Sequence, residues 1–358
     1  MSANGTDRAG QPQRFWPQPA AAGVPLGNAV FKLAPEDFIV EECVSWHIDG
    51  AGEHDLLWIE KRDANTRWVA DRLAEFAGCR PRDVGYAGLK DRHALTRQWF
   101  SVYRPGRVID WSSFDAPGVT ILETAAHQRK LRIGGLAGNR FTIILRSVTA
   151  DSDALEARFK QLSSSGMPNY FGAQRFGREH ANIALAQKLA TRRRLKRTQQ
   201  GFALSAARAA IFNEVLAQRV RAATWATPCA GDLLMLDGSQ SFFAFDGETD
   251  RADIERRCAE ADLHPTGPLW GEAGAVTAAT IAALESKTAD SLPLLRDATI
   301  AARASLQRRA LRVVPQACAF RRVGGDVELA FTLPAGSFAT VLLHELLQTQ
   351  DASQRSNT

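Results

Sequence analysis

The stretch GLKDRHALTRQ at residues 88–98 is the part of the chain best suited to chemistry. A single carboxylate, Asp91, stands between Lys90 and Arg92 in a glycine-containing loop that joins a helical pattern to a strand pattern. Cations within reach favour the ionised carboxylate and hold it in one orientation. Such a group can act as nucleophile or base toward a polyanionic substrate. The same three residues also suit a structural ion pair, and charge alone favours that reading. Metal chemistry has little support. His47, His54, His93, His127, His180, His264 and His344 form no HxH, HExxH or His–carboxylate cluster at ligand spacing. No GxGxxG opens a helix and no GxxxxGKS/T loop is present, so no metal and no nucleotide cofactor is expected. GxSxG is absent as well, and Ser337 in PAGSFAT reads as a cap for the last helix. The cysteines at 43, 79, 229, 258 and 318 are odd in number, widely spaced and without a CxxC pair, which argues against a disulfide framework or structural zinc.

The elements that must position Asp91 can be read from periodicity. AVFKLA (29–34), DFIVEECV (37–44) and HDLLWIEKR (54–62) predict strands; in the second, Phe38, Val40 and Glu42 alternate with Ile39, Glu41 and Cys43. NTRWVADRLAEFAG (65–78) predicts a helix capped at Asn65 or Thr66, with Trp68, Val69, Arg72, Leu73 and Phe76 on one face and a stop at Gly78. A polar loop follows over 79–96, then strands at 97–103, 118–126 and 139–148 and a helix at 152–166. From 178 the text turns Ala- and Arg-rich and helical, with weaker strand text at 231–245. Strands at 310–315 and 326–334 and a helix over 336–348 close the chain. Glu36, Asp37, Glu41 and Glu42 read as solvated strand edges, and DASQRSNT (351–358) as a frayed tail. Residues 1–27 read as a loose leader, with Phe15 and Trp16 pinned to the body. The leader lacks the apolar core of a signal peptide, and no apolar run approaches the ~20 residues that span a bilayer, so a cytoplasmic protein that avoids membranes is expected.

The chain has 358 residues, 45% of them hydrophobic and 23% charged, which excludes wholesale disorder and suggests two domains or one with a large insertion. Its net charge of +5 is too mild to imply a nucleic-acid partner. The distribution is more telling. Residues 80–107 carry a net +5 and residues 180–213 a net +7, so the remainder is acidic at −7. A basic run on a helix also suits a plain solvated face. Two such runs interleaved with Tyr86, Trp99, Tyr103, Tyr170, Phe171 and Phe176 favour a polyanion whose bases can be stacked upon.

GYAGLKDRHALTRQWFSV (85–102) resembles the signature of the TruD family of tRNA pseudouridine synthases. FKLAPEDFIVEE (31–42), LRIGGLAGNRFTIILR (131–146), MPNYFGAQRFGR (167–178) and LPAGSFATVLLHEL (333–346) resemble that family in the same order. The resemblance spans residues 30–346, with a poorly marked interval between about 215 and 305. It implies an α+β catalytic domain with a mixed or antiparallel sheet, formed by 1–165 and 313–358 and interrupted by a helix-rich insertion at 166–312. A basic groove between the two is the expected tRNA site, and a monomer is the default. The implied reaction is isomerisation of uridine 13 of tRNA to pseudouridine, without a cofactor.

Asp91 matches the family's catalytic aspartate. Phe141 resembles the residue that stacks on the target base, and Asn139 its polar companion. By strand pattern alone the core is the favoured place for Phe141, and turn chemistry the favoured reading of Asn139 after Gly138. Phe38 and Lys32 match residues near the active site, with Lys32 a basic partner for Asp91. Lys90 and Arg92 flank it, and Arg175 and Arg178 are candidates for phosphate contacts. A non-catalytic RNA-binding or RNA-folding module of the same fold is the alternative reading. An N-glycosidic hydrolase is disfavoured for want of a second catalytic carboxylate.

Overall fold

Period-two burial explains the main sheet. In the computed structural model, which describes residues 15–357, strand β2 (Phe38–Cys43) turns Phe38, Val40 and Glu42 inward and the residues between them outward. Strand β1 (Asn28–Phe31) precedes it, and β3 (His54–Arg62) follows with the expected bounds. Helix α1 (Thr66–Ala77) buries Val69, Ala70, Leu73, Ala74 and Ala77, which pack on Leu57, Ile59, Phe100 and Val102 of the sheet. The buried stripe therefore bypasses Phe76, which the sequence pattern assigns to it; that ring stays largely exposed, beside Trp111 and Phe114. Gly78 closes the helix in the left-handed conformation, as the sequence predicts.

Strands β4 (Val84–Tyr86), β5 (Leu95–Tyr103), β6 (Val119–His127) and β7 (Gly138–Leu145) complete the first part of the chain. The eight-stranded sheet runs in the order Gln316–Val323, Asp326–Pro334, β7, β2, β5, β3, β6, with β4 paired to β5. Only β2 and β5 are parallel; the other pairs are antiparallel. One transverse row crosses most of the sheet: Lys61 lies opposite Thr96, Thr96 opposite Val40, Val40 opposite Phe141, and Phe141 opposite Phe331. Gly138 is required where it stands, because a Cβ there would lie 2.4 Å from the Leu333 carbonyl oxygen.

Chain contacts divide the structure into two units. One contains Leu26–Lys160, Pro315–Gly336 and the residues from Leu347 onward, and holds this sheet. The other contains Gln161–Val314, Ser337–Leu346 and the described residues up to Pro25. Its antiparallel sheet runs Phe242–Ala244, Leu233–Leu236, Leu263–Leu269, Gln307–Ala310. The helix Arg197–Arg221 contributes a buried face that includes Ala206, Ala207, Ala210 and Phe212.

The sequence pattern groups the last helix and the leader with the sheet of Asp91; their packing groups them with residues 161–314. The helix Ala339–Leu346 buries Val341, Leu342, Leu343 and Leu346. Its Glu345 accepts the Ala22 N–H at 2.8 Å, and Trp16 packs on His344. Phe15 packs on Phe176, and the rest of the leader, residues 1–14, lies outside the described residues. Ser337 stands two residues before this helix, and its hydroxyl donates to Asn169 Oδ1 at 3.1 Å. Among the described residues no helix is long and apolar enough to cross a membrane.

Candidate active site

Asp91 sits in the irregular loop 87–94 between β4 and β5, and its side chain keeps 37% of its exposure. One carboxylate oxygen, Oδ2, meets the Lys32 ammonium, and Oδ1 accepts the His93 backbone N–H at 3.1 Å. Burial alone would raise its pKa. The Lys32 charge, the Lys32 hydrogen bond and the His93 N–H outweigh that, and hold the carboxyl below the ordinary aspartate range. Asp91 is therefore an ionised, oriented carboxylate with a solvent-facing side.

Lys32 follows β1 with φ +58°, a left-handed conformation uncommon for a residue with a side chain. That turn carries its side chain inward, to 4% exposure, with Nζ 4.4 Å from the Phe38 ring centroid and 3.8 Å from Asp351 Oδ2. Asp351 falls in the segment that reads as a frayed tail. It instead ends the strand Gln348–Asp351, which pairs in parallel with β1. Phe38 meets Phe141 edge-on at 6.1 Å, and Phe141 stacks on Phe331 at 5.4 Å. Asp91, Lys32, Phe38 and Phe141 thus form one continuous chain of contacts. Phe141 is only 7% exposed, so its ring is also part of the core.

A second network ties down the loop itself. Lys90 Nζ donates to Glu42 Oε1 at 3.0 Å and to Asn139 Oδ1 at 2.7 Å. Glu42 Oε2 accepts the Trp99 N–H at 3.1 Å. The Lys90 N–H donates to Thr66 Oγ1, Thr66 donates to Gln98, and Gln98 Nε2 donates to the Gly88 carbonyl. Arg92 Nε donates to the Asp63 carbonyl at 3.2 Å. Beneath the loop, fully buried Lys61 donates to the carbonyls of Ala64 at 2.7 Å and Asp91 at 2.9 Å.

Two acids assigned to solvated edges are corrected by these contacts. The Glu42 side chain is completely buried. Asp37 is buried too, accepting from Arg146 and from the Ala34 N–H. Neither Lys61 nor Glu42 stands out in the sequence as a functional residue. The usable signal is the alternation Phe38, Val40, Glu42 and Leu57, Ile59, Lys61, which puts each charge on a buried face.

The two basic stretches differ in three dimensions. Most cations of 80–107 are paired: Arg80 with Asp83, Lys90 with Glu42, Arg97 with Glu41 and Glu60, and Arg104 with Asp55. Its net charge is thus largely met by acids on β2 and β3, which a linear count cannot see. In the other unit, Arg192, Arg193, Arg194, Lys196 and Arg197 are exposed, and no ion pair holds them among the described residues. Arg192, Arg193 and Arg194 line a cavity of about 860 Å³ together with Arg303, Glu272 and Asp297.

Arg175 is half-buried. It donates to Ser205 Oγ at 2.8 Å and lies over the rings of Phe171 and Phe338, while Arg178 is exposed. Of the aromatics considered for base stacking, Trp99, Tyr170, Phe171 and Phe176 are buried and present no free face. No group of three His, Cys, Asp or Glu that could hold a metal exists among the described residues.

A family model described as tRNA pseudouridine synthase D (TruD) matches residues 24–196 and 186–346. The chain is 45% identical over 340 residues to the tRNA pseudouridine synthase D of Pseudomonas entomophila (strain L48), covering 94% of this chain and 96% of that protein. It is 40% identical over 334 residues to the corresponding protein of Hydrogenovibrio crunogenus, covering 92% and 96%. The crystal structure of the putative tRNA pseudouridine synthase D from Methanosarcina mazei superposes with a TM-score of 0.69 at 18% identity, over 90% of this chain and 94% of that one. At that identity the likeness speaks for the fold.

Proposed function

Since the chain belongs to the TruD family and is a tRNA pseudouridine synthase, we propose that it isomerises uridine 13 of tRNA without a cofactor, with Asp91 as the catalytic carboxylate. The observation that carries this is the state of Asp91: ionised against Lys32, oriented by the His93 N–H, and still open to solvent on one side. In the isomerisation the N1–C1′ bond breaks, a C5–C1′ bond forms, and the proton lost from C5 is balanced by one gained at N1. Nothing is oxidised or reduced, so no redox cofactor is called for. An ionised carboxylate serves each route open to this chemistry: attack at the sugar, attack at the base, or removal of the C2′ proton.

Lys32 helps hold the carboxyl below the ordinary aspartate range, and the Lys90–Glu42–Asn139 network keeps its loop in place. Phe141, joined to Lys32 through Phe38, backs the site from within the core, and exposed Arg92 follows Asp91 in its loop. The base must leave its stack to reach Asp91, at a cost of a few kcal/mol. Phosphate contacts offset that cost, and the unpaired cations of 192–197, with exposed Arg178, are the groups suited to make them. Arg175 acts by holding the fold around Phe171.

The test is release of tritium from tRNA whose uridines are tritiated at C5. The parent protein releases one equivalent from a transcript with uridine 13 and none when cytidine replaces it. Asp91→Ala releases none from either. Release from the cytidine-13 transcript would refute the position, and release by Asp91→Ala would refute the catalytic assignment.

A further inference from the structure

Lys61 is the one lysine of the sheet unit whose whole side chain is sealed from solvent and whose bonds reach the catalytic loop. Its neighbours along the same face of β3 are Leu57 and Ile59, so an apolar side chain is what that face ordinarily takes. No carboxylate lies within ion-pair distance of its Nζ among the described residues; its partners are the carbonyls of Ala64 and Asp91. A buried ammonium answered only by neutral oxygens is costly to hold, and it is kept here because it is the donor to two main-chain carbonyls. What the ammonium does is join two segments. Ala64 lies just before α1, whose Thr66 receives the Lys90 N–H, and Asp91 carries the carboxylate.

We propose that Lys61 is a positioning residue for the isomerisation, clamping the Asp91 main chain to the start of α1 so that the carboxylate meets its substrate in one geometry. The inference rests on Asp91 being the catalytic carboxylate. Lys61 itself touches no solvent and so no substrate. It acts through the Asp91 carbonyl, while Lys32 acts on the carboxylate, so the two lysines fix the residue at its two ends.

The charged surroundings of Lys61 give it a pH signature. Burial pushes its ammonium down to about 8; Asp91 and Asp63 resist that shift, and Lys90 adds to it. From the adjacent strands it faces Thr96 on β5, whose hydroxyl has no hydrogen-bond partner, and Val119 on β6, neither of them charged. From the loops beside it the charged groups are Asp63, Lys90 and Asp91. Above about pH 8 the clamp becomes a neutral amine with weaker hydrogen bonds. The stability effect has the opposite sign. A lysine whose folded pKa lies below its unfolded value of about 10.4 adds stability as pH rises between the two. Loss of positioning and gain of stability therefore share one titration, which a merely structural lysine would not produce.

The experiment measures kcat and KM on a tRNA transcript from about pH 6 to about pH 10 for the parent, Lys61→Met and Asp91→Ala. Lys61→Met is expected to fold with a Tm within about 8 °C of the parent, to lose on the order of 10²-fold in kcat, and to keep KM within about threefold. The parent's kcat should fall above about pH 8 while its Tm does not, and that fall should be missing in Lys61→Met. Lys61→Met with kcat within about twofold of the parent, or with the parent's alkaline fall intact, overturns the proposal. Should Lys61→Met fail to fold, the parent decides: a kcat flat to about pH 9.5 overturns the clamp, and a fall near 8 with steady Tm upholds it. Activity in Asp91→Ala would instead bring down the catalytic assignment beneath it, whereas an inert Asp91→Ala beside a fully active Lys61→Met brings down the Lys61 role alone.

Discussion

The Glu42–Lys90 pair offers a quantitative test of how the Asp91 loop is held. Both side chains are buried, at 0% and 5% exposure. Glu42→Ala leaves the Lys90 ammonium with only the Asn139 side-chain oxygen, and leaves the Trp99 N–H without its acceptor. Lys90→Ala leaves the Glu42 carboxylate with only that N–H. Breaking a buried pair from one side costs about 3–5 kcal/mol, so each single variant should lose roughly 10 °C in the Tm of the sheet unit. Independent losses would sum to about 6–10 kcal/mol. The double variant removes both charges, strands neither, and should cost no more than about 3–5 kcal/mol, a coupling of about 3 kcal/mol or more. Hydrogen exchange at the Trp99 amide is the assay, because that N–H reports on Glu42 directly. Its protection should fall sharply in Glu42→Ala, less in Lys90→Ala, and pseudouridine formation should fall in both. Losses that add to within about 0.5 kcal/mol would refute the claim that one buried pair fixes the loop.

Phe141→Ala should cost about 3–5 kcal/mol in urea unfolding, because its ring is stacked on Phe331 and sealed; Phe141→Leu should cost under about 1.5 kcal/mol yet still slow turnover. A stable Phe141→Ala would show that the ring is not core. Replacing Arg192, Arg193 and Arg194 together with Ala should leave Tm unchanged, since no ion pair holds them among the described residues. It should flatten the salt dependence of tRNA binding by about 0.7–0.9 for each phosphate no longer neutralised. An unchanged slope would make that run an ordinary solvated face. For Lys32→Met the sign follows from Asp91. Its ionised form is present above its depressed pKa and is lost as pH falls through that value. Removing Lys32 leaves burial to raise the pKa, so the acidic limb of kcat/KM should move to higher pH. A limb that stays put would separate Lys32 from the charge state of Asp91.

The features legible in the sequence are local ones. The bounds of β3, the Gly78 stop and the strand Asp326–Pro334 follow from period and punctuation within one segment. The Asp91 loop stands out because three charges and a glycine cluster in sequence. Long-range partners leave no such mark. Arg104 finds Asp55 and Arg97 finds Glu41 and Glu60 only after β5 has been placed between β2 and β3, so the basic stretch at 80–107 is largely neutralised on folding. Glu42 and Lys61 lie between these cases. Their charge argues for solvent and their alternation with apolar residues argues for burial, and burial is what the fold imposes. Asp351 is hidden for another reason: its strand is made by β1, more than 300 residues earlier in the chain.

The central claim is tested most directly by mapping pseudouridine, position by position, in tRNA from cells that lack this gene and are supplied with either the parent or Asp91→Ala. The account predicts that pseudouridine returns at position 13 with the parent and not with Asp91→Ala, although both bind tRNA to within about tenfold. Restoration by Asp91→Ala, or a parent that restores pseudouridine only at other positions, would contradict it.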